Sequence, residues 1–189
     1  IRPSRGLGDV YKRQDLDGSL LHRDTFKFDK IKDYIKSLID EGIIIIPNTS
    51  KTEKEIEAFI NELGSNLPFI SENGSSIHGL NLINNNFPNK IVLSRDKQEL
   101  IKIFNSKVPE NLKAKCKFIS EMNSKQQNNI FGLKDNHLKN ALSRKYTIPF
   151  IFEGDKIEKN KLLKILISHS LTMQAVSYTH LRAHETVVY

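Results

Sequence analysis

The sequence predicts an α/β fold, with a doubly wound parallel unit over residues 15–85 and a second, α+β lobe over residues 86–170. Three observations lead there. Helical hydrophobic periods alternate with short apolar runs. One of these runs, Ile43 to Ile46, is β-branched throughout, which suits a parallel strand covered on both faces. Residues able to do chemistry recur three times at loop positions: Asp15 and Asp17, then Thr49 to Thr52, then Glu72 and Asn73. Such sheets bind ligands at the carboxyl ends of their strands.

The elements follow in order. Lys27 to Glu41 carries Phe28, Ile31, Ile35, Leu38 and Ile39 at the spacing of an amphipathic helix, and Gly42 supplies its C-terminal cap. After the Ile43 to Ile46 strand, Asn48-Thr49-Ser50 opens a second helix with Ile56, Phe59, Ile60 and Leu63 on one face. Thr49 or Ser50 is expected at its N-cap, and Gly64 at its end. Pro68 to Ser71 reads as a strand and Glu72-Asn73-Gly74 as a turn. Beyond a polar loop at Asn84 to Asn86, strands are expected at 90–94, 115–120 and 149–152, and helices at 96–104, 122–133, 138–146 and 156–168. Phe118, Phe131 and Phe150 are expected in the core of this second lobe.

With 189 residues, the chain can build one core and a small second lobe. The formal charge of +7 raises nucleic-acid binding. The lysines are scattered along helical stretches without stacking aromatics, however, so they read as solvated side chains, some meeting an anionic small substrate. No apolar run approaches a membrane span, and no apolar segment of signal-peptide type follows the early arginines. A single cysteine, Cys116, rules out an internal disulfide and points to the reducing cytoplasm. The six histidines show no metal-site spacing and read as surface or packed imidazoles.

Asp15-Leu16-Asp17-Gly18-Ser19 suits phosphate ester hydrolysis. Two carboxylates at i and i+2 on a tight loop can face one site, with Gly18 permitting the turn. One attacks phosphorus and becomes an acyl phosphate; the other protonates the leaving oxygen and then deprotonates water. Two carboxylates beside a phosphate dianion repel each other, so a hard divalent cation, Mg²⁺, is expected, with Asp15 and Asp17 as its ligands. A calcium loop of the EF-hand kind fails, because the twelfth residue from Asp15 is Phe26 and not Glu. Pro47-Asn48-Thr49-Ser50-Lys51-Thr52 adds a phosphate cradle: Thr49 can donate to a phosphoryl oxygen and Lys51 can supply charge.

These stretches together, with Pro68 to Gly74, resemble the haloacid-dehalogenase-like phosphatases, and among them the mannosyl-3-phosphoglycerate phosphatase family, whose form Thr-Ser-Lys-Thr matches residues 49–52. The resemblance covers roughly residues 15–175. It implies an incomplete Rossmann-like haloacid-dehalogenase core with an α+β cap domain, and a Mg²⁺-dependent hydrolase converting mannosyl-3-phosphoglycerate to mannosylglycerate, a compatible solute. By the resemblance Asp15 is the nucleophile, Asp17 the acid/base and Thr49 a phosphoryl ligand. Ser50, Lys51, Thr52 and Asn73 line the substrate site, and Arg144 reaches in from the cap. Ala141 to Tyr146 with Pro149-Phe150 resembles the cap stretch, although Ile148 stands where the family has Glu. Sucrose phosphate and glucosyl-3-phosphoglycerate are alternative substrates, and a non-catalytic anion-binding relative is a further alternative. The expected partner is a small phosphorylated sugar or glycerate, with neither nucleic acid nor membrane involved.

The family's later lysine and its Gly-Asp-Ser-x-Asn-Asp stretch do not occur in this sequence. Residues 1–14 and 176–189 resemble translated adapter sequence and are read as non-native tails, to be left out of fold reasoning; the alternative is natural termini on an unusually short family member. Tyr11 to Gln14 in particular is too polar to be expected as a core strand. On this reading the chain is a truncated copy with little activity of its own.

Overall fold

The structure is a computed structural model that describes residues 11–14 and 179–183 through their backbone and residues 28–175. Asp15 and Asp17 lie outside the described residues. The chain divides into two compact units, Ile1–Val92 and Leu93–Tyr189.

In the first unit, β1 (Tyr11–Gln14) runs parallel to β2 (Ile44–Pro47), with Tyr11 opposite Ile44 and Gln14 opposite Pro47. A parallel bridge from Asn48 to Ile70 links β2 onward to β3 (Phe69–Ser71). β3 then turns into an antiparallel meander with β4 (Ser76–His78) and β5 (Lys90–Val92). The helices α1 (Asp29–Asp40) and α2 (Glu53–Leu63) supply the layer that covers the sheet. Phe28, Ile35, Ile45, Ile56, Phe59, Leu63, Leu67 and Phe69 form one buried cluster. Ile45 and Pro47 are buried while Ile44 and Ile46 are half-buried, so β2 alternates where an all-buried strand was expected. Gly42, at φ +83°, lets the chain leave α1: its N–H reaches Ile39 O at 2.9 Å and the next N–H reaches Leu38 O at 3.0 Å.

The second unit is a four-stranded antiparallel sheet in the order β6 (Cys116–Phe118), β7 (Thr147–Phe152), β9 (Thr179–Ala183), β8 (Leu171–Ala175). Its helices are α3 (Lys97–Lys107), α4 (Glu110–Lys113), α5 (Ser124–Phe131), α6 (Asp135–Leu142) and α7 (Lys156–Ser168). Leu100, Phe104, Ile148, Phe150, Leu162, Leu166 and Leu171 are nearly or fully buried together. Phe118 packs edge-on to Phe104 and Phe150, which makes these rings core material.

Several expectations are corrected. Tyr11–Gln14 does form a strand, because a parallel ladder is built from backbone groups and β2 offers a free edge for it. Thr179–Ala183, inside the segment read as a non-native tail, pairs with β7 and β8. The division falls at Val92 rather than near residue 85, because β5 pairs with β4 and so belongs to the first unit. The second helix starts at Glu53, several residues later than expected. Thr52 is its N-cap: its hydroxyl accepts from Glu55 N at 3.2 Å, and its N–H donates to Glu55 Oε2 at 2.9 Å. The helix expected at 138–146 is displaced to Asp135–Leu142, with Leu138 and Ala141 turned inward.

Candidate functional site

The site-bearing loops of the first unit are the chain segments that leave β2 and β3 at the same edge of the sheet. Past Pro47, Thr49 N–H bonds Ile70 O at 3.1 Å, which holds the start of the loop against β3. Thr49 is 4% exposed, and its Oγ1 accepts from Lys51 N at 3.2 Å. That bond occupies a lone pair and leaves the hydroxyl proton as a donor. Lys51, just ahead of the α2 cap, lies 3.6 Å from Glu55 in the helix's first turn. Ser50 is half-buried between Thr49 and Lys51. Thr52, expected among the substrate-binding residues, is fully buried with its hydroxyl engaged as the cap of α2.

The turn after β3 is stitched directly onto this loop. Glu72 N–H bonds Lys51 O at 2.9 Å and Asn73 N–H bonds Thr49 O at 3.0 Å. Glu72, Asn73 and Gly74 all take positive φ, at 46°, 61° and 92°. For Asn and Gly that region is accessible; for Glu it costs on the order of 1–2 kcal/mol. Glu72 is nonetheless 1% exposed. Strain of this kind persists where surrounding contacts over-determine it, and it collects at functional sites. Thr49, Ser50, Lys51 and Asn73 are thus brought together by backbone bonds.

Arg144 belongs to the second unit. It is 7% exposed, and its Nη1 donates to Thr147 Oγ1 at 2.9 Å. Among the described residues no group of three His, Cys, Asp or Glu side chains is placed to hold a metal ion. No described helix is long and apolar enough to cross a membrane.

The family profile for haloacid dehalogenase-like hydrolases matches residues 14–186. The chain belongs to that family. Among curated proteins, this haloacid dehalogenase-like chain is 33% identical over 151 residues to a glucosyl-3-phosphoglycerate/mannosyl-3-phosphoglycerate phosphatase of Persephonella marina, a match spanning 75% of the chain and 55% of that protein. It is 43% identical over 63 residues to a protein of the same name from Methanococcoides burtonii, over 33% of the chain and 23% of the relative. It is 44% identical over 63 residues to a mannosyl-3-phosphoglycerate phosphatase of Pyrococcus horikoshii, over 33% of the chain and 25% of the relative. The chain therefore spans about half or less of the length of these relatives. A phosphatase of the same superfamily from Bacteroides thetaiotaomicron shares the fold at a TM-score of 0.66 and 15% identity, over 98% of this chain and 71% of the other. A haloacid dehalogenase-like hydrolase from that organism does so at 0.63 and 10%, over 95% and 73%.

Sequence reasoning missed one buried polar cluster in this haloacid dehalogenase-like core. His78, read as a surface or packed imidazole, is 6% exposed and stacks on Phe69 with ring centroids 4.4 Å apart. Its Nε2 is 2.9 Å from Ser76 Oγ and 3.4 Å from Ser71 Oγ, and the two hydroxyls are 2.7 Å apart. Its Nδ1 is 3.4 Å from Glu53 Oε1, and Glu53 Oε2 takes Lys90 Nζ at 3.0 Å. Ser76 and His78 share a strand face by their two-residue spacing. The register that sets Ser71 opposite Ser76 became visible only with the hairpin folded.

Proposed function

We propose that this chain carries the core and cap of a phosphatase that hydrolyses mannosyl-3-phosphoglycerate to mannosylglycerate, a compatible solute, through an aspartyl-phosphate intermediate. The observation that carries the reading is the pair of backbone bonds joining Glu72 and Asn73 to Lys51 and Thr49. They gather a hydroxyl, a lysine and an amide on one rim. β1 ends at Gln14, the register partner of Pro47, so the chain leaves β1 at the edge from which Thr49 departs β2, and the next residue in sequence is Asp15. Adjacent strands lie about 4.8 Å apart, within the span of one phosphoryl group and its ligands.

In this reading the Asp15 carboxylate attacks phosphorus and the ester oxygen departs with a proton from Asp17. Water then attacks the acyl phosphate, returning its proton to Asp17 and releasing inorganic phosphate. Thr49 donates its hydroxyl proton to a phosphoryl oxygen, while Lys51, Ser50 and Asn73 bind the phosphate and the ester's polar groups. Thr52 acts by capping α2 beneath them. Arg144 is assigned to the glycerate or sugar end. Mg²⁺, held by Asp15 and Asp17, would offset the repulsion between these carboxylates and the phosphate dianion. The lone cysteine, buried Cys116, supports a cytoplasmic enzyme.

A second reading, glucosyl-3-phosphoglycerate as substrate, is favoured equally by the double name of the Persephonella relative. The test is phosphate release from mannosyl-3-phosphoglycerate, glucosyl-3-phosphoglycerate and sucrose phosphate, with Mg²⁺ and with chelator. It is run on this chain and on an extended protein in which the later residues of the Persephonella relative follow residue 175 of this chain. The extended protein should prefer the phosphoglycerates, and this chain should be slower by ~10²-fold or more for each of the family's charged groups, the later lysine and aspartate, that do not occur in its 189 residues. Failure of the extended protein to release phosphate from any of the three with Mg²⁺ present defeats the reading.

A further inference from the structure

We propose that His78 is a positioning residue for the loop pair Thr49–Lys51 and Glu72–Asn73, an inference that takes the proposed phosphoryl site as its setting. The imidazole sits at the centre of a polar chain joining two elements. On one side, Nε2 meets Ser76 Oγ at 2.9 Å and Ser71 Oγ at 3.4 Å, at the base of the β3–β4 hairpin. On the other, Nδ1 faces Glu53, which lies in the first turn of α2 directly after the Thr52 cap. With its proton on Nδ1, the ring donates toward Glu53 and accepts the Ser76 hydroxyl proton at Nε2, and Ser71 in turn can donate to Ser76. Among the described residues it meets Glu53 and, through Glu53, Lys90 of β5. Glu57 of α2 lines a cavity of about 460 Å³ that Glu53 and His78 line as well.

The mechanical consequence follows from sequence adjacency. Ser71 immediately precedes Glu72, and Glu53 immediately follows Thr52. Tying Ser71 and Ser76 to Glu53 therefore fixes the two segments whose backbone bonds, Glu72 N to Lys51 O and Asn73 N to Thr49 O, close the site. The positive φ values of Glu72 and Asn73 work against that closure and need such a tie. A buried imidazole, two hydroxyls and a carboxylate in contact form a chain in which each polar group satisfies the next, and removing the imidazole breaks the link between the hydroxyl pair and the carboxylate. Ser76 is fully buried, which excludes it as a nucleophile and leaves positioning as the role of the chain.

Hydrogen exchange of backbone amides in the 189-residue chain tests this without any need for turnover. His78→Phe keeps the ring stacked on Phe69 and removes the polar bonds. Glu72 and Asn73 amides should then exchange about 10-fold faster, while Gly64, at the far end of α2, changes by less than about 2-fold. His78→Gln, which can still reach the serine hydroxyls, should restore Glu72 and Asn73 to within about 3-fold of the parent. Glu53→Gln should reproduce the selective loss, and it decides the matter if His78→Phe does not fold. Unchanged Glu72 and Asn73 exchange in both variants overturns the proposal, as does an equal rise at Gly64. Sulfate titration, read at the Thr49 and Lys51 amides, addresses the phosphoryl reading separately. Absence of sulfate shifts in the parent defeats that reading and leaves the exchange result intact.

Discussion

Thr52 separates a structural hydroxyl from a ligand-binding one, and its contribution can be worked from the structure. Its side chain is fully buried, its oxygen caps α2 through Glu55 N, and its N–H takes the Glu55 carboxylate in return. Loss of an N-cap oxygen costs about 1 kcal/mol. Loss of a buried methyl costs roughly another 1 kcal/mol. Thr52→Ala should therefore destabilise the first unit by about 2 kcal/mol. Thr52→Ser, which keeps the cap, and Thr52→Val, which keeps the shape, should each cost about 1 kcal/mol. Urea unfolding followed at the Ile56 amide measures this. With a slope of about 1 kcal/mol per molar urea, the midpoint falls by about 2 M for Ala and about 1 M for the other two. A Thr52→Val chain whose midpoint equals that of the parent refutes the cap and returns the hydroxyl to the substrate.

Three further outcomes can be checked. Gly79→Ala should destabilise the first unit by ~2 kcal/mol or more in the same urea assay: the residue sits at φ +71°, and an added Cβ would lie 2.9 Å from Pro68 Cα, a backbone atom that cannot give way. Burial pushes the Cys116 thiol up from 9.0 to about 12. The folded value is the higher one, so this contribution to the second unit is full below pH 9 and fades as pH rises through 9 toward 12, at a slope approaching ~1.4 kcal/mol per pH unit. Urea midpoints between pH 7 and pH 11 should fall more steeply in the parent than in Cys116→Ala, the difference being the thiol's share. Phe150→Ala, at a fully buried position touching Phe118, should cost the second unit ~3–5 kcal/mol in thermal or urea unfolding.

What the sequence made legible was whatever a periodic or local signal encodes. The face Ile56, Phe59 and Leu63 of α2 is buried as its spacing required, and α7 spans Lys156–Ser168 as read. The clustering of Thr49, Ser50, Lys51 and Asn73 was legible because strand-end loops of an α/β unit converge by topology alone. The start of α2 was misread because three hydroxyl residues compete for one cap. Glu55, three residues after Thr52, decides between them through the reciprocal bond. Tyr11–Gln14 was misread because apolarity reports burial of side chains, whereas pairing with β2 depends on backbone groups that every sequence carries.

The His78 cluster was beyond reach for a different reason. Its members, Glu53, Ser71, Ser76, His78 and Lys90, come from one helix turn and three strands, and only Ser76 and His78 are related by a strand period. Antiparallel register supplies what the sequence lacks: setting Ser71 opposite Ser76 and His78 opposite Lys90 delivers four polar residues to one face beside Glu53. Burying them together is unfavourable unless each finds a partner, and in this hairpin each does. A polar group retained at that cost on a strand next to a strained turn points to the turn as what the cluster serves. The polar tie therefore belongs with Glu72 and Asn73 in any account of how the loops past β2 and β3 keep their shape.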